Sequence, residues 1–160
     1  IQNRRSLMED LEKELQRSRR YQRHMALLFL DIDHFKSIND RFGHAFGDRV
    51  LQRITQVASH LIRLPDIFGR YGGEEFAIGL VECDQAMARE IAERIRQTIA
   101  RTSFESDNQA VQVTVSIGIA LRTPAMEKID ALIEQADRAL YRAKANGRNR
   151  IELYRDSASI

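Results

Sequence analysis

The sequence has one cysteine, Cys83, so no internal disulfide can form. Two prolines and eight glycines among 160 residues are too few for long disordered linkers. No apolar run approaches the roughly 20 residues that a membrane-spanning helix needs, and no signal-peptide pattern opens the chain. The 25 basic residues nearly balance the 23 acidic ones, and a net charge of +2 excludes a general polyanion binder. We therefore expect a cytoplasmic domain that contacts neither nucleic acid nor a membrane, whatever tethers its parent protein.

Length and composition fit a single folded domain over residues 1–160. The hydrophobic fraction is 43% and the charged fraction 30%, as in ordinary globular proteins. In residues 3–20, leucines recur at every fourth position on a charged background, which predicts a narrow amphipathic helix that starts at the N-cap Asn3. We expect this helix to continue from a region upstream of residue 1, and residues 155–160 to form a polar tail.

Hydrophobic periodicity predicts helices alternating with strands. The nearly continuous apolar run 26–32 indicates a central strand buried on both faces. The strict alternation over 111–119 indicates a strand with one face on the core. The other predicted helices are short segments within 33–47 and longer helices over 50–62 and 87–99. The helix over 87–99 follows the N-cap Asp84, and a last helix runs from Ile129 to the stop signal Asn146-Gly147. The other predicted strands are 66–70, 76–81 and 150–154. The order α-β-α-β-β-α-β-α-β predicts an α+β fold with a mixed central sheet of about five strands flanked by helices.

Carboxylates stand at the end of the predicted central strand. Asp31 and Asp33 flank Ile32, and strand alternation places both acids on one face and Ile32 on the other. One interpretation is that these acids cap the helix that follows. If the strand instead pairs with the hairpin 66–81, Asp31 and Glu74 converge at one sheet edge as hard oxygen ligands, which suits Mg²⁺ or Mn²⁺.

The stretch RYGGEEF, residues 70–76, contains a predicted hairpin turn. We expect a tight turn because glycine tolerates positive φ, and Gly72 and Gly73 also let the backbone approach a phosphate or a metal closely. Alternation predicts that Glu74 and Glu75 face opposite ways, with Glu74 toward the metal and Glu75 elsewhere. The alternative is an exposed polar turn in which both charges are simply solvated.

Two separated stretches, DIDHFKSINDRFGHAFGD over 31–48 and RYGGEEF over 70–76, resemble the GGDEF family of diguanylate cyclases. The resemblance runs from about Asn3 to Tyr154, and GGEEF is a variant of the signature that active members of the family carry. It implies a fold of the nucleotidyl-cyclase palm type. It also implies an enzyme that condenses two GTP molecules into cyclic di-GMP with release of two pyrophosphates, each GTP being held by one subunit of a transient homodimer.

The resemblance implies a role for each matching position. Asp31, Glu74 and the main-chain carbonyl of Ile32 would hold two Mg²⁺ or Mn²⁺ ions per half-site, and Glu74 is also the family's candidate proton acceptor. Lys36 matches a catalytic position. The substrate-binding positions are Phe35 behind the phosphate loop, His44 near the nucleotide, Asn39 and Asp48 at guanine, Gly72 and Gly73 in the turn, and Lys36, Lys144 and Arg148 at the triphosphate.

The chemistry of these side chains agrees with guanine. A carboxylate accepts from guanine N1–H and N2–H₂ together, and adenine offers no such donor pair, so Asn39 and Asp48 favour GTP over ATP. Asp48 can also cap a helix that begins near Arg49. Without the resemblance, the three cations at the triphosphate would be interpreted as solvated charges at helix ends.

The family's product-inhibition site is an Arg-x-x-Asp pair just upstream of the signature turn, where Arg63-Leu-Pro-Asp66 stands. Such pairs also arise by chance in an arginine-rich chain, so the position carries the information rather than the spacing. Arg63 would donate to guanine O6 and N7 while Asp66 accepts from the opposite edge. Arg94 matches a secondary product contact. The alternative is a salt bridge between Arg63 and Asp66 at the helix end.

Members of the family usually carry an Asp-x-Leu-Thr turn just before the Asn-Arg-Arg found here at 3–5, so we expect an upstream sensor or regulatory domain. Two other functions stay open. One is a catalytically silent signalling module that binds cyclic di-GMP or GTP. This function is disfavoured because the chain retains the acids and glycines of the signature. The other is a palm-type cyclase for another nucleotide, which Asn39 and Asp48 disfavour.

Overall fold

The computed structural model describes residues 1–156, so residues 157–160 of the predicted polar tail lie outside the described residues. The helices are α1 (Arg4–Arg20), α2 (Phe35–Phe42), α3 (His44–Leu61), α4 (Gln85–Arg101) and α5 (Ile129–Ala145). The strands are β1 (Met25–Ile32), β2 (Ile67–Arg70), β3 (Glu75–Val81), β4 (Phe104–Ser106), β5 (Gln109–Val111), β6 (Val115–Leu121) and β7 (Ile151–Leu153). Over residues 1–156, no helix is both long enough and apolar enough to cross a membrane.

Five strands form one mixed sheet in the order β2-β3-β1-β6-β7. The central strand β1 pairs antiparallel with both β3 and β6, whereas β6 pairs parallel with β7. Every residue of β1 is buried, because helices cover both faces of the sheet. The predicted α+β fold with a mixed sheet of about five strands is confirmed.

The sheet separates two hydrophobic layers. Leu28 and Leu30 of β1 belong to the layer that contains the apolar residues of α3 and α4, whereas Leu27 and Phe29 belong to the layer of α1 and α5. The strand β6 is likewise buried on both faces. The prediction that the strand around 111–119 has only one face on the core is therefore wrong for the part that forms β6.

The predicted strand 111–119 is divided in the structure. Val111 ends β5, which pairs with β4 in a separate two-stranded sheet, and β6 begins only at Val115. The turn of this extra hairpin places Asp107 and Asn108 at φ values of 50° and 63°, a left-handed conformation that Asp and Asn tolerate better than other residues. The break was concealed because the apolar alternation continues through the buried Val113.

Local chemistry sets the helix boundaries. The Asn3 side chain accepts a hydrogen bond from the Ser6 N–H at 3.0 Å, and the Asp84 side chain accepts one from the Met87 N–H at 2.9 Å, so both predicted N-caps are confirmed. The helices α2 and α3 are separated by Gly43, whose φ of 90° suits glycine and few other residues. As a result α3 starts well before the predicted residue 50.

The helix α5 packs directly against β6 at Gly118. A Cβ atom on Gly118 would lie 2.2 Å from the carbonyl oxygen of Ala136 and 2.3 Å from the backbone nitrogen of Leu140. The helix backbone can therefore reach the sheet only where the side chain is a hydrogen. This close contact sets the distance between α5 and the central strands of the sheet.

The segment before α1 adds to the edge of the sheet. The Gln2 N–H donates to the Phe68 carbonyl at 3.2 Å, and the Arg70 N–H donates to the Gln2 carbonyl at 3.0 Å. Gln2 thereby forms a parallel bridge with Gly69 of β2. The chain enters the domain alongside β2 before α1 crosses the sheet.

Candidate active site

The end of β1 and the start of β3 bring carboxylates together at one sheet edge. Asp31 lies directly opposite Glu75 in the antiparallel pairing, and residues in that relation have their side chains on the same face. Alternation predicts that Glu75 faces away from the metal side, but this register places it on the same face as Asp31, a predicted metal ligand. Glu74 precedes β3 and lies in the turn, where strand alternation does not govern its direction.

Asp31 is a buried carboxylate, only 5% exposed, that accepts a hydrogen bond from the Lys144 ammonium at 2.5 Å. Burial raises the pKa of Asp31 because desolvation outweighs the opposing effect of Lys144, and the charges of Glu74 and Asp33 add to the rise. Burial also raises the pKa of Glu75, to which the charge of Asp31 contributes. The two carboxyls therefore interact with each other and with Lys144 in a partly desolvated position.

A hard divalent cation fits this set of donors. Asp31, Glu74 and Glu75 would supply carboxylate oxygens, and a bound cation would favour the ionised forms of Asp31 and Glu75, whose pKa values are raised mainly by burial. Within residues 1–156, no three His, Cys, Asp or Glu side chains are already grouped around a common metal position. A bound cation would have to compete with Lys144 for Asp31.

Asp33 holds three segments together and caps no helix. The N-cap position of α2 is His34, and no side chain caps that helix, so the interpretation of Asp31 and Asp33 as caps is wrong. Asp33 is instead buried and accepts hydrogen bonds from the Thr114 hydroxyl at 2.7 Å, the Ser116 hydroxyl at 2.6 Å and the Asn149 N–H at 3.0 Å.

The signature turn is closed by Arg70. Its guanidinium donates to the carbonyl oxygens of Gly72 and Gly73, and the N–H groups of Tyr71 and Gly72 donate to the Glu75 carbonyl at 2.8 and 3.2 Å. Neither glycine has a positive φ, so the prediction that the turn needs this conformation is wrong, whereas their close approach to a phosphate or a metal stays a prediction. A Cβ on Gly72 would lie 2.8 Å from Glu75 Oε2, whereas a Cβ on Gly73 would meet nothing within 4 Å. Gly72 makes room for Glu75, and Gly73 faces open space.

A polar cradle lies between α2 and α3. The Oδ1 atom of Asn39 is buried without a hydrogen-bond partner, and a Cβ on Gly47 would lie 1.8 Å from that atom and 3.3 Å from the ring of Phe35. Asp48 is exposed in the second turn of α3, which begins at His44. The alternative in which Asp48 caps a helix that starts at Arg49 is therefore wrong.

The predicted phosphate-binding cations lie at helix ends and in one loop. Lys144 is in the last turn of α5 and contacts Asp31 directly, whereas Lys36 is exposed in the first turn of α2. His44 is exposed at the start of α3. Arg148 is exposed in the loop between α5 and β7, with a φ of 61°. The structure thus joins only Lys144 to the carboxylates through a side-chain contact within the described residues.

Arg63 and Asp66 are linked through the backbone of Val81. The carboxylate of Asp66 accepts from the N–H groups of Arg63 at 3.2 Å and Val81 at 3.0 Å, and the Arg63 guanidinium donates to the Val81 carbonyl at 3.0 Å. Among the described residues the two side chains form no salt bridge with each other, which removes that alternative. Arg94 lies exposed on α4 and pairs with Glu90 at 2.8 Å.

Two contacts near the site have no local signal in the sequence. The Arg4 guanidinium lies 4.2 Å from the centroid of the Tyr71 ring and donates to the Tyr71 hydroxyl at 3.1 Å, which connects α1 to the signature turn. Arg96 of α4 donates to the Asn149 side chain at 2.7 Å. Each pair is more than 50 residues apart in the chain, so only the assembled fold reveals it.

The family model that matches residues 1–150 is described as diguanylate cyclase, GGDEF domain. Diguanylate cyclase A of Treponema denticola is 40% identical over 133 residues, which are 83% of this chain and 36% of that protein. Diguanylate cyclase DgcP of Pseudomonas aeruginosa is 41% identical over 96% of this chain and 23% of its own length. The chain spans roughly a quarter to a third of the length of these relatives.

Solved structures agree with these relatives. The GGDEF domain of DgcB from Caulobacter crescentus, in complex with c-di-GMP, superimposes with a TM-score of 0.93 at 33% identity over 98% of this chain and 90% of that one. The active GGEEF domain of a diguanylate cyclase from Vibrio cholerae gives a TM-score of 0.92 at 37% identity over 97% of this chain and 98% of that one. The chain belongs to the GGDEF-domain family of diguanylate cyclases.

Proposed function

We propose that this domain is a diguanylate cyclase that condenses two GTP molecules into cyclic di-GMP and two pyrophosphates. One observation carries the proposal: the buried Asp31 and its cross-strand neighbour Glu75 lie on one face of the sheet beside Lys144, and burial raises the pKa of both carboxyls. Such a pair of carboxyls at a sheet edge suits a cation-dependent reaction on a polyphosphate. The same arrangement would be costly in a merely structural site, because buried charge without full compensation destabilises a fold.

Two divalent ions, Mg²⁺ or Mn²⁺, would be held by Asp31, Glu74 and the main-chain carbonyl of Ile32. When bound they would supply charge neutralisation for the triphosphate and polarisation of its α-phosphorus. Glu74 lies in the turn next to the open space at Gly73, and it is our candidate for the group that accepts the proton of the attacking 3′-hydroxyl.

The remaining residues bind and orient the nucleotide. We assign the acceptance of hydrogen bonds from guanine to the Oδ1 atom of Asn39 on α2, which is buried without a partner, and to the exposed carboxylate of Asp48 on α3. Lys36, Lys144 and Arg148 are the cations for the triphosphate. The other members of the proposed substrate site are Phe35 beside Gly47, His44 at the start of α3, and Gly72 and Gly73 in the turn.

Each domain would hold one GTP, so the reaction needs two domains to meet face to face. The transient homodimer is therefore part of the proposed mechanism, and a lone domain would be nearly inactive.

We also propose that cyclic di-GMP inhibits the enzyme at Arg63 and Asp66 with help from Arg94. Arg63 is exposed, and one nitrogen of its guanidinium donates to the Val81 carbonyl. Its other N–H groups can donate to a guanine edge.

A product assay tests the proposal. With GTP and Mg²⁺ we expect cyclic di-GMP and two pyrophosphates per product molecule, a specific activity that rises with protein concentration, and inhibition by added cyclic di-GMP. ATP should neither react nor compete well. Folded protein that binds GTP or cyclic di-GMP and releases no pyrophosphate would instead identify the silent signalling module. ATP competing as strongly as GTP would identify a cyclase for another nucleotide.

Gly47→Ala is expected to weaken GTP binding by about tenfold or more while the fold survives. The new methyl group would displace the amide of Asn39, which is the end of a flexible side chain and can turn away at little cost. GTP affinity is measured by calorimetry and stability by thermal unfolding. Asn39→Ala should show the same loss, and combining the two substitutions should add little. Wild-type affinity in Gly47→Ala would contradict the placement of guanine in this cradle.

A further inference from the structure

The loop between α5 and β7 is held in an unfavourable backbone conformation. Gly147, Arg148 and Asn149 follow one another with φ values of 120°, 61° and 48°. The left-handed region costs non-glycine residues free energy, and such conformations persist only where the surroundings impose them. Residues 145–150 are all exposed, so packing of hydrophobic side chains does not impose this conformation. The end of α5 accounts for the first part of this conformation, because the N–H groups of Gly147 and Arg148 donate to the carbonyls of Lys144 at 3.4 Å and Ala143 at 3.0 Å.

Two polar anchors hold the next residue, Asn149. Asp33, at the end of β1, accepts the Asn149 N–H at 3.0 Å, and Arg96 of α4 donates to the Asn149 side-chain oxygen at 2.7 Å. Arg96 is itself fixed by Glu93, which it contacts with two nitrogens, at 2.9 and 2.5 Å. The hydrogen bond from Arg96 holds the pKa of Glu93 below its usual range, so this pair stays ionised.

The Asp33 anchor is built from buried groups. Asp33 is 5% exposed, and its other acceptor positions are filled by the hydroxyls of Thr114 and Ser116. A carboxylate with three donors is rigid, because any rotation breaks at least one charge-assisted hydrogen bond. Asp31, two residues earlier, contacts Lys144 of the same α5 end. The end of β1 therefore contacts the last turn of α5 through one acid and the following loop through the other.

We infer that Asp33 and the Glu93–Arg96 pair are positioning residues that fix the 147–149 loop so that Arg148 meets the substrate triphosphate. The inference rests on the proposed function, in which Lys144 and Arg148 contact that triphosphate. A buried carboxylate and an ordered ion pair converge on a short exposed loop that contributes nothing to the core. Both anchors hold Asn149, the residue directly after Arg148, and in this way they fix the direction of Arg148.

The first test compares Asp33→Ala with Asp33→Asn. Asn retains an acceptor for the Asn149 N–H, and its NH₂ can donate to the Ser116 hydroxyl, so we expect its apparent KM for GTP to stay within about threefold of wild type. Asp33→Ala should raise the apparent KM by about tenfold or more and change kcat far less. Ser116→Ala is the matched control, because it removes one donor to Asp33 and keeps the hydrogen bond from the Asn149 N–H; its KM should stay well below that of Asp33→Ala.

A purely structural role for Asp33 predicts a different result. Asp33→Ala would then lower the folded fraction, and with it kcat, at an unchanged KM, and this outcome would overturn the inference. A wild-type KM and kcat in Asp33→Ala would do the same. If the wild-type protein forms no cyclic di-GMP, the affinity for GTP without turnover decides: weaker binding in Asp33→Ala supports the loop inference although the cyclase proposal fails, and equal binding overturns it.

The second test leaves Asp33 unchanged. Asn149→Gly tolerates the positive φ and removes the side-chain contact to Arg96, and Arg96→Met removes that contact from the other side together with the one to the Asn149 carbonyl. We expect each to raise the apparent KM several-fold and the double variant to be no worse than either one. Additive effects, or no effect in both single variants, would overturn the role assigned to Arg96.

Discussion

Replacement of Asp31 by asparagine is expected to abolish cyclic di-GMP formation, by about 10³-fold or more, and at the same time to make the domain more stable near neutral pH. Activity falls because the neutral amide cannot hold a divalent cation beside Glu74. Stability rises because burial disfavours the ionised form of Asp31 and the charges of Glu74 and Asp33 add to that cost, and an isosteric neutral group removes both effects. Loss of the Lys144 contact offsets part of the gain.

The gain in stability of Asp31→Asn is expected to depend on pH. The pKa of Asp31 is raised in the folded state, so folding is favoured where the carboxyl is protonated, and that advantage is lost as the pH rises through the folded pKa. The asparagine variant does not titrate. Its gain in the free energy of unfolding should therefore be larger at about pH 8 than at about pH 4, where more of the wild-type carboxyl is protonated. Urea unfolding at the two pH values measures it.

Glu74→Gln is the matched comparison for activity. Glu74 is half-buried in the turn, and we expect its glutamine variant to be as inactive as Asp31→Asn but without a comparable gain in stability. Full activity in Glu74→Gln would refute the proposed function. A loss of stability in Asp31→Asn at about pH 8 would show that the Lys144 contact outweighs the repulsion among the carboxylates.

Gly118→Ala is expected to cost at least about 3 kcal/mol of unfolding free energy and to leave little folded protein at moderate temperature. The added methyl group would lie 2.2 Å from the Ala136 carbonyl oxygen and 2.3 Å from the Leu140 nitrogen. These are helix backbone atoms, so α5 as a whole would have to move away from β6. That movement would also separate Lys144 from Asp31.

The control for this substitution is Gly73→Ala. A Cβ at Gly73 would meet no heavy atom within 4 Å, and its φ is not in the left-handed region, so its unfolding free energy should stay within about 0.5 kcal/mol of wild type. Circular dichroism during urea unfolding compares the two variants. Equal stability of Gly118→Ala and the wild type would mean that α5 does not rest on the sheet as described.

Sequence patterns predicted those parts of the fold that depend on local periodicity. The apolar run of β1, the N-caps Asn3 and Asp84 and the hairpin containing Glu74 are all encoded within a few neighbouring residues. The β4–β5 hairpin was missed because its only local signal is Asp107-Asn108, a weaker turn pair than one that contains glycine.

The arrangement of the site depends on contacts between distant segments. The side on which Glu75 lies follows from the register of β3 against β1, which no local pattern specifies. The function of Asp33 depends on donors 81, 83 and 116 residues away. Asp31 was identified from the sequence because it interrupts a buried strand, and that interruption is itself a local signal.

The bridge between Gln2 and β2 protects the domain against aggregation through its edge strand. An outer strand with free N–H and C=O groups is a template on which another chain can add, and natural proteins cover such strands. Gln2 occupies the Phe68 carbonyl and the Arg70 N–H of β2. If the entering segment lifts away, those groups become free at the border of a five-stranded sheet, and the detached state is the one from which strand addition and aggregation would begin.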